Sequence, residues 1–371
     1  MRGPFVPMSL PLRFPTDDGK KVSLEDILFH QELLAYTEAI TKYKIISKRT
    51  KLNPALIYSG LLFSEAIFST RIEGTQATIS EVYEYEIAKP SQKSQDVAEV
   101  LNYYHTIKSA ETLVNQYALS SRLFTTLHRL LLSGDVRGKN LSPGEYRTVQ
   151  NYIGPKGCNM QNASFVPPSP EMIDDALSNL EQYANYDEAN HPIIRTAIFH
   201  AQFESIHPFL DGNGRVGRVL IPVALYYYKQ IDTPNFFVSE SLEKNKYKYY
   251  ELLNGTRNNT LHNWREWVRF FIQAVTAQTV KDTGRIEAID ALYEEVLKKA
   301  RELRDTTAMI DLVSMLFEKP ILTSKTVTDR IKISPNTARS YLSQLHRNKI
   351  ISSNSSQRNT TYYFYDLLDL L

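Results

Sequence analysis

Apolar positions in this chain recur mostly at helical spacing. Residues 1–22 break that rhythm, because Pro4, Pro7, Pro11 and Pro15 exclude a continuous helix and predict an extended arm. From Ser23, residues Leu24, Ile27, Leu28, Leu34 and Ile40 predict a helix, with Ser23 as cap and Asp26 three positions on. Asn53-Pro54 opens another, which carries Leu56, Leu61, Leu62 and Ile67 and ends near Gly74. Helical pattern also covers 97–117, 122–132, 171–183, 191–205, 215–228, 244–253 and 264–280. Gly144 to Pro170 interrupts it with four prolines, three glycines and β-type pieces at Tyr146–Val149 and Ser164–Val166. A β-hairpin or ordered flap over 146–168 is expected there.

Ile286 to Leu303 reads as a polar helix, and a small unit follows from Thr306. Its expected order is helix 310–317, helix 323–330, a turn at Ile333-Ser334-Pro335, a helix to Arg347 capped by Ser334, then two strands about a loop at 352–358. That order resembles a winged helix-turn-helix. The expected organisation is mainly α: an arm and helices over 1–95, a core over 96–282, a linker helix over 283–305 and the small unit over 306–371.

Length and composition narrow the class. A chain of 371 residues and 42.6 kDa suits two or three units. The formal charge of +2 gives no support to a surface that is basic throughout. Gly 14 and Pro 17 are about 8% of the chain, below the usual ~12%, which favours helices. A single cysteine, Cys158, excludes an intrachain disulfide and a cysteine-built metal site. The longest mostly apolar run, Val219 to Tyr228, contains Pro222 and is about half of the ~20 residues that a membrane span needs. The first residues lack the apolar stretch of a signal peptide, so a cytoplasmic location without membrane contact is expected.

The candidate chemistry is concentrated in His207-Pro208-Phe209-Leu210-Asp211-Gly212-Asn213-Gly214-Arg215-Val216-Gly217-Arg218. A Gly-Asn-Gly turn before a helix can converge its N–H groups with those of the helix N-terminus on an anion. Arg215 and Arg218 are three apart on one helical face and suit phosphate oxygens. Asp211 is the kind of ligand Mg²⁺ uses when it bridges phosphates, and His207 can serve as a general base. Together these residues form a phosphoryl- or nucleotidyl-transfer constellation. The spacing is not that of a P-loop, and no strand precedes the glycines as in a Rossmann unit.

The segment resembles the Fic-domain signature, His-x-Phe-x-Asp/Glu-Gly-Asn-Gly-Arg-x-x-Arg, at every fixed position. Phe203-Glu204-Ser205-Ile206 and the Pro-rich flap also look like family features. The resemblance covers about residues 100–280, and more with the N-terminal helices. It implies transfer of AMP from ATP to a Tyr, Thr or Ser hydroxyl of a target protein, or of the chain itself. By the same resemblance, His207 would deprotonate that hydroxyl and Asp211 would hold Mg²⁺. Gly212, Asn213 and Gly214 would cradle the phosphates, with Asn213 on the α-phosphate. Arg215 would contact the β-phosphate and Arg218 the γ-phosphate, and Phe209 would anchor the loop. Gly214 argues against the phosphorylating variant, which carries Lys there.

Ser69-Thr70-Arg71-Ile72-Glu73-Gly74 fits the family's inhibitory helix, Ser/Thr-x-x-x-Glu-Gly/Asn. The resemblance implies that Glu73 occupies Arg218 and holds the enzyme down, with Ser69 part of the same motif. It also implies that targets dock on the flap at 146–168, that Tyr250, beside Tyr249, faces adenine, and that the chain dimerises. Two other readings share these residues: hydrolytic removal of AMP from a modified protein, and a nucleotide-sensing, DNA-binding transcriptional regulator. DNA would use residues 323–365, with Arg330, Lys332, Arg339, His346, Arg347, Lys349 and Arg358 beside Asn336 and Thr337. His200 is expected to be packed, Trp264 and Trp267 to be core, and His105, His128 and His191 show no metal spacing.

Overall fold

A computed structural model describes residues 4–16, 18–87, 94–154, 157–234, 236–354 and 360–371. The N-terminal helices are α1 (His30–Arg49), α2 (Pro54–Ile72) and α3 (Ile79–Ile87). The core follows with α4 (Gln95–Tyr117), α5 (Ser121–Leu131), α6 (Ile173–Tyr186), α7 (Pro192–Ile206), α8 (Asn213–Tyr227), α9 (Ser239–Lys244), α10 (Lys246–Thr256) and α11 (Leu261–Leu303). Two short strands, β1 (Phe14–Pro15) and β2 (Lys21–Val22), pair antiparallel ahead of α1.

α7 and α8 form the centre. Every residue of α7 from Ile193 to Ile206 is buried, and α8 is buried from Arg215 to Leu225. α4, α5, α2 and α11 pack around this pair. The inhibitory-type helix α2 is itself internal, with α4, α9 and the C-terminal α12 (Thr307–Glu318) against it. Asn53 caps it by accepting from the Ala55 N–H at 3.0 Å, with Pro54 at the first position. Gly74 ends it at φ +101°, a backbone conformation that side-chain-bearing residues rarely adopt.

Three local expectations change. The first α-helix begins at His30 after a short 3₁₀ turn at Asp26–Phe29, and Ser23 does not cap it. Asp26 instead accepts from the His191 N–H at 3.0 Å, at the start of α7. The tertiary contact wins over the local capping pattern. The helices expected at 264–280 and 286–303 are one helix, α11, because nothing between them breaks the apolar stripe. Ile286, Ile289, Val296 and Ala300 continue it, and α1 lies along it. The expected hairpin at 146–168 reduces, among the described residues, to one antiparallel bridge between Ile153 and Phe165. Residues 155 and 156 of that segment lie outside the described residues. Arg147 breaks the expected strand at 146–149, since its buried side chain turns inward to backbone carbonyls.

The arm is extended and pinned down. Leu10, Leu12 and Phe14 are buried, Asn179 brackets the Leu10 peptide at 2.7 and 3.0 Å, and the Phe5 N–H donates to Val166 O at 3.0 Å. The C-terminal unit continues from α12 with β3 (Ile321–Thr323), α13 (Ser324–Ile331), α14 (Pro335–Arg347), β4 (Ser352–Ser353), β5 (Thr361–Tyr363) and α15 (Tyr365–Leu368). Its sheet has the order β3-β5-β4, all antiparallel. Arg339 and Asn336 are exposed on α14, and Arg358 lies outside the described residues. This unit rests on the inhibitory-type segment: Leu371 packs on Gly60 of α2, and the Tyr363 hydroxyl donates to Glu84 of α3 at 3.0 Å.

α2 is fixed to the core by a buried carboxylate. Glu65 accepts from the Ser239 N–H at 2.9 Å and the Tyr103 hydroxyl at 3.1 Å. Glu65→Ala leaves those donors without an acceptor and is expected to cost about 3 kcal/mol in urea denaturation. A loss under about 0.5 kcal/mol contradicts this role for the carboxylate.

Candidate functional site

The motif loop joins α7 to α8. His207 ends α7 in the left-handed region at φ 50°, and Gly212 precedes α8 at φ +78°. Between them the loop is closed by side chains. Asn213 Oδ1 accepts from the Phe209 N–H at 2.9 Å, and its Nδ2 donates to Phe209 O at 2.8 Å. Phe209 is fully buried and stacks on His128 with ring centroids 3.8 Å apart. The Gly144 N–H donates to His128 Nδ1 at 2.8 Å, so Nε2 carries the proton and donates to Asp211 O at 2.9 Å. Arg147 donates through Nε to His207 O at 2.9 Å and through Nη2 to Pro168 O at 2.6 Å, which ties the flap to the loop.

α8 starts at Asn213, so the N–H groups of Asn213, Gly214 and Arg215 have no acceptor within the helix. They form an anion-attracting end. The Asn213 amide side chain is already engaged, through both its oxygen and its nitrogen, with the backbone of Phe209. What this residue offers an anion is therefore its backbone N–H.

His207 Nδ1 lies 3.3 Å from Glu204 O. A carbonyl only accepts, so Nδ1 holds the proton and Nε2 keeps its lone pair. Enclosure by protein, with Arg257 adding to it, pushes the imidazole down to about 3.

Arg218 is 1% exposed. Its Nη2 donates to Glu73 Oε1 at 2.6 Å and to Ser69 O at 3.1 Å, and its Nε donates to Ser69 Oγ at 2.8 Å. Burial pushes the Glu73 carboxyl up, but the Arg218 charge outweighs it and holds it below the ordinary range. Arg215 is engaged more loosely, 3.5 Å from Glu99 Oε2 and 3.6 Å from Asp211 Oδ2, and its buried Nε has no partner among the described residues.

One cavity of about 210 Å³ is lined by Glu73, Glu99, Arg137, His207 and Leu210 to Arg215. The structure thus gathers His207, Asp211, Gly212, Asn213, Gly214, Arg215 and Glu73, and places Arg218 directly behind them. A second cavity of about 610 Å³ lies between the flap residues Ser164–Val166 and α10, with Asn254, Gly255 and Arg257 on its far wall. Tyr250 is on α10 and 37% exposed but does not line that cavity. Tyr249 is core, bonded through its hydroxyl to His200 Nε2 at 3.0 Å. Trp264 and Trp267 are buried as expected.

Among the described residues, no group of three or more His, Cys, Asp or Glu is placed to hold a metal. Asp211 is the motif's own carboxylate, with Oδ1 accepting from the Gly212 N–H at 2.6 Å, while Glu73 and Glu99 on the same cavity face arginines. One carboxylate beside an anion site fits an Mg²⁺ that arrives with phosphates, not one caged by protein.

Sequence reasoning missed His128, Arg147, Glu99, Arg137 and Arg257, which sit in helices or loops without a local motif. It also left Glu204 without a role. That carboxyl is pushed up to about 7 by burial, partly offset by Arg218. Its Oε1 has no partner among the described residues and lies where a Cβ on Gly217 would meet it at 2.2 Å.

The Fic/DOC family model matches residues 118–225 and the Fic/DOC family N-terminal model matches residues 31–112, together just over half of the chain. The chain belongs to the Fic/DOC family. It is 26% identical over 250 residues to a protein adenylyltransferase Fic of Nematostella vectensis, covering 66% of this chain and 53% of that protein. It is 28% identical over 169 residues to a probable protein adenylyltransferase of Aquifex aeolicus, covering 43% and 47%. The chain therefore spans about half the length of these curated relatives. Its Fic fold is shared by the crystal structure of a Fic family protein from Desulfovibrio desulfuricans G20, with TM-score 0.58, 19% identity and coverage of 91% and 95%. Fic-1 from C. elegans (aa134 - 508) superposes with TM-score 0.52 at 18% identity, covering 71% and 74%. No helix among the described residues is long and apolar enough to cross a membrane.

A depressed imidazole stays neutral as pH falls, so His207 should keep its basic lone pair through the physiological range. In NMR titration its Cε1 proton, assigned by its loss in His207→Ala, should show no midpoint between pH 5 and 8. A midpoint near 6.5 contradicts the enclosure described here.

Proposed function

We propose that this Fic protein is an adenylyltransferase, restrained by Glu73, that moves AMP from ATP to a hydroxyl of a target protein. The observation that carries the reading is the Glu73–Arg218 contact at 2.6 Å, made by a carboxylate that lines one cavity with His207 and the N-terminus of α8. The relatives named as protein adenylyltransferases support the donor and the reaction class.

In the proposed step His207 Nε2 takes the proton of the target Tyr, Thr or Ser hydroxyl. The freed oxygen forms a bond to the α-phosphorus, the bond from that phosphorus to the bridging oxygen breaks, and pyrophosphate leaves. The N–H groups of Asn213, Gly214 and Arg215 hold phosphate oxygens, with Arg215 toward the β-phosphate. Arg218 receives the γ-phosphate only when Glu73 gives it up. Asp211 would hold Mg²⁺, whose charge would offset that of the triphosphate when bound. The larger cavity between flap and α10 suits the nucleoside, and the flap presents the target. Inhibition then has a physical cause: a triphosphate refused by Arg218 sits out of line, and a misplacement of ~1 Å can cost on the order of 100-fold in rate.

One observation favours a second activity in the same site. Glu73 shares the cavity with His207 and keeps 37% of its side chain exposed, so it could position a water against an AMP-modified hydroxyl.

The test incubates wild type, Glu73→Gly and His207→Ala with Mg²⁺ and α-phosphate-labelled ATP, alone and with lysate. Glu73→Gly should label protein at least about 10-fold faster than wild type, and His207→Ala should give no label. Equal labelling by wild type and Glu73→Gly, with both folded, removes the inhibitory role. Absence of label in every reaction, with AMP released from pre-modified protein by wild type, would favour the hydrolytic activity.

A further inference from the structure

The loop after α5 contributes a second arginine, beside Arg215, to the lining of the motif cavity. Arg137 lines it beside Asp211 and Gly212, yet it belongs to neither sequence motif. Its placement is tight. Gly138 follows at φ +82°, and a Cβ there would meet Asp211 Oδ2 at 2.5 Å, so the loop lies directly against the motif carboxylate. Val136 on the other side is buried.

The guanidinium is fixed on two of its three nitrogens. Nε donates to Glu99 Oε1 at 2.6 Å, while Nη2 reaches Glu99 Oε2 at 3.1 Å, Thr75 Oγ1 at 2.9 Å and Asp96 Oδ1 at 3.1 Å. Glu99 is 3% exposed, whereas the Arg137 side chain is 45% exposed. Among the described residues no hydrogen bond uses Nη1. A buried carboxylate therefore holds the fork still and leaves Nη1 uncommitted on a side chain that lines the cavity. The same carboxylate reaches Arg215 Nη1 at 3.5 Å, so one buried group orients two arginines around Asp211. Preorganised guanidinium groups of this kind bind phosphate oxygens with little further loss of side-chain freedom.

We propose that Arg137 binds the pyrophosphate portion of ATP, the leaving group of the transfer, through Nη1. This inference rests on the adenylyl-transfer reading. The alternative is a structural arginine that only fastens Thr75, just past the inhibitory motif, to α4. The two differ in which nucleotide they affect.

Binding of ATP, AMP and inorganic pyrophosphate to the full chain would be measured by calorimetry in the Glu73→Gly background, with and without Arg137→Ala. A phosphate-binding arginine predicts about tenfold weaker ATP and pyrophosphate binding with AMP affinity within about twofold, AMP also reporting that the site is folded. Arg137→Lys, which keeps the charge without the fork, should lose about threefold for ATP only. Equal weakening of ATP and AMP, or unchanged ATP affinity, overturns the proposal. Should Arg137→Ala fail to fold by thermal melting, the ATP-to-AMP ratio in Arg137→Lys decides by the same criterion. If the Glu73→Gly protein with Arg137 intact binds neither nucleotide, the adenylyl-transfer reading fails and this inference with it. Binding in that protein with no selective loss in the variants sinks only the Arg137 role.

Discussion

A cation with 1% exposure in a helical core needs anions or acceptors around it, and Arg218 sets that demand for this molecule. Withdrawing both members of such a pair from water is costly, and removing one partner commonly costs about 3–5 kcal/mol because the other charge is left uncompensated. Here the partners come from the end of α2, through Ser69 and Glu73. That requirement explains why α2 runs through the interior and stops where it does. It also explains the fixation of α2 at Glu65 and the weight of the C-terminal unit on Gly60. Once Glu73 is withdrawn, Ser69 still supplies two acceptors, but the charge needs a new anion. In the proposed reading, a nucleotide's terminal phosphate meets that need.

The reacting end is built on a different principle, rigidity of a loop. His207 sits in a left-handed conformation, its carbonyl is gripped by Arg147, and the loop behind it is closed by Asn213 and Phe209. None of these contacts touches the expected reacting atoms. Together they fix the direction of Nε2 relative to the N-terminus of α8, which is what in-line attack requires. Burial then keeps the imidazole in its basic form.

Much of this was legible because the chemistry lies in two contiguous stretches. The twelve residues from His207 to Arg218 and the six from Ser69 to Gly74 carry their spacing in the sequence, and the structure brings the two together. Helix spans were readable where apolar residues repeat, as in α2, α4 and α5. Less visible were groups that matter only through distant partners. Asp26 looks like a capping-box member of its own helix but serves His191, at the start of α7. Arg147 looks like a strand residue but is held by carbonyls some twenty to sixty positions away. Glu99 occupies an ordinary helical position, and only the return of the α5 loop and of α8 gives it two arginines. The continuity of α11 was hidden because its exposed face is polar, while its buried stripe continues on the other side.

Gly214 shows how closely the proposed active and restrained states are matched. A Cβ at this position would meet Glu73 Oε1 at 2.4 Å and Arg218 Nη1 at 3.0 Å. The absence of a side chain therefore makes room for the Glu73 carboxylate, besides leaving the backbone N–H open to an anion. Both uses draw on the same small volume at the start of α8. A carboxylate oxygen and a phosphate oxygen have similar size and charge, so in the proposed reading they compete for one site. What separates them is attachment. Glu73 is tethered at the end of a helix fixed at Glu65 and reaches Arg218 at high effective concentration, while a nucleotide must compete from solution. The balance between the states is then set by how firmly α2 is held, and the elements holding it, α4, α9 and α12, are parts of the core and of the C-terminal unit. Loosening any of them weakens the tether without altering a single residue of the reacting loop.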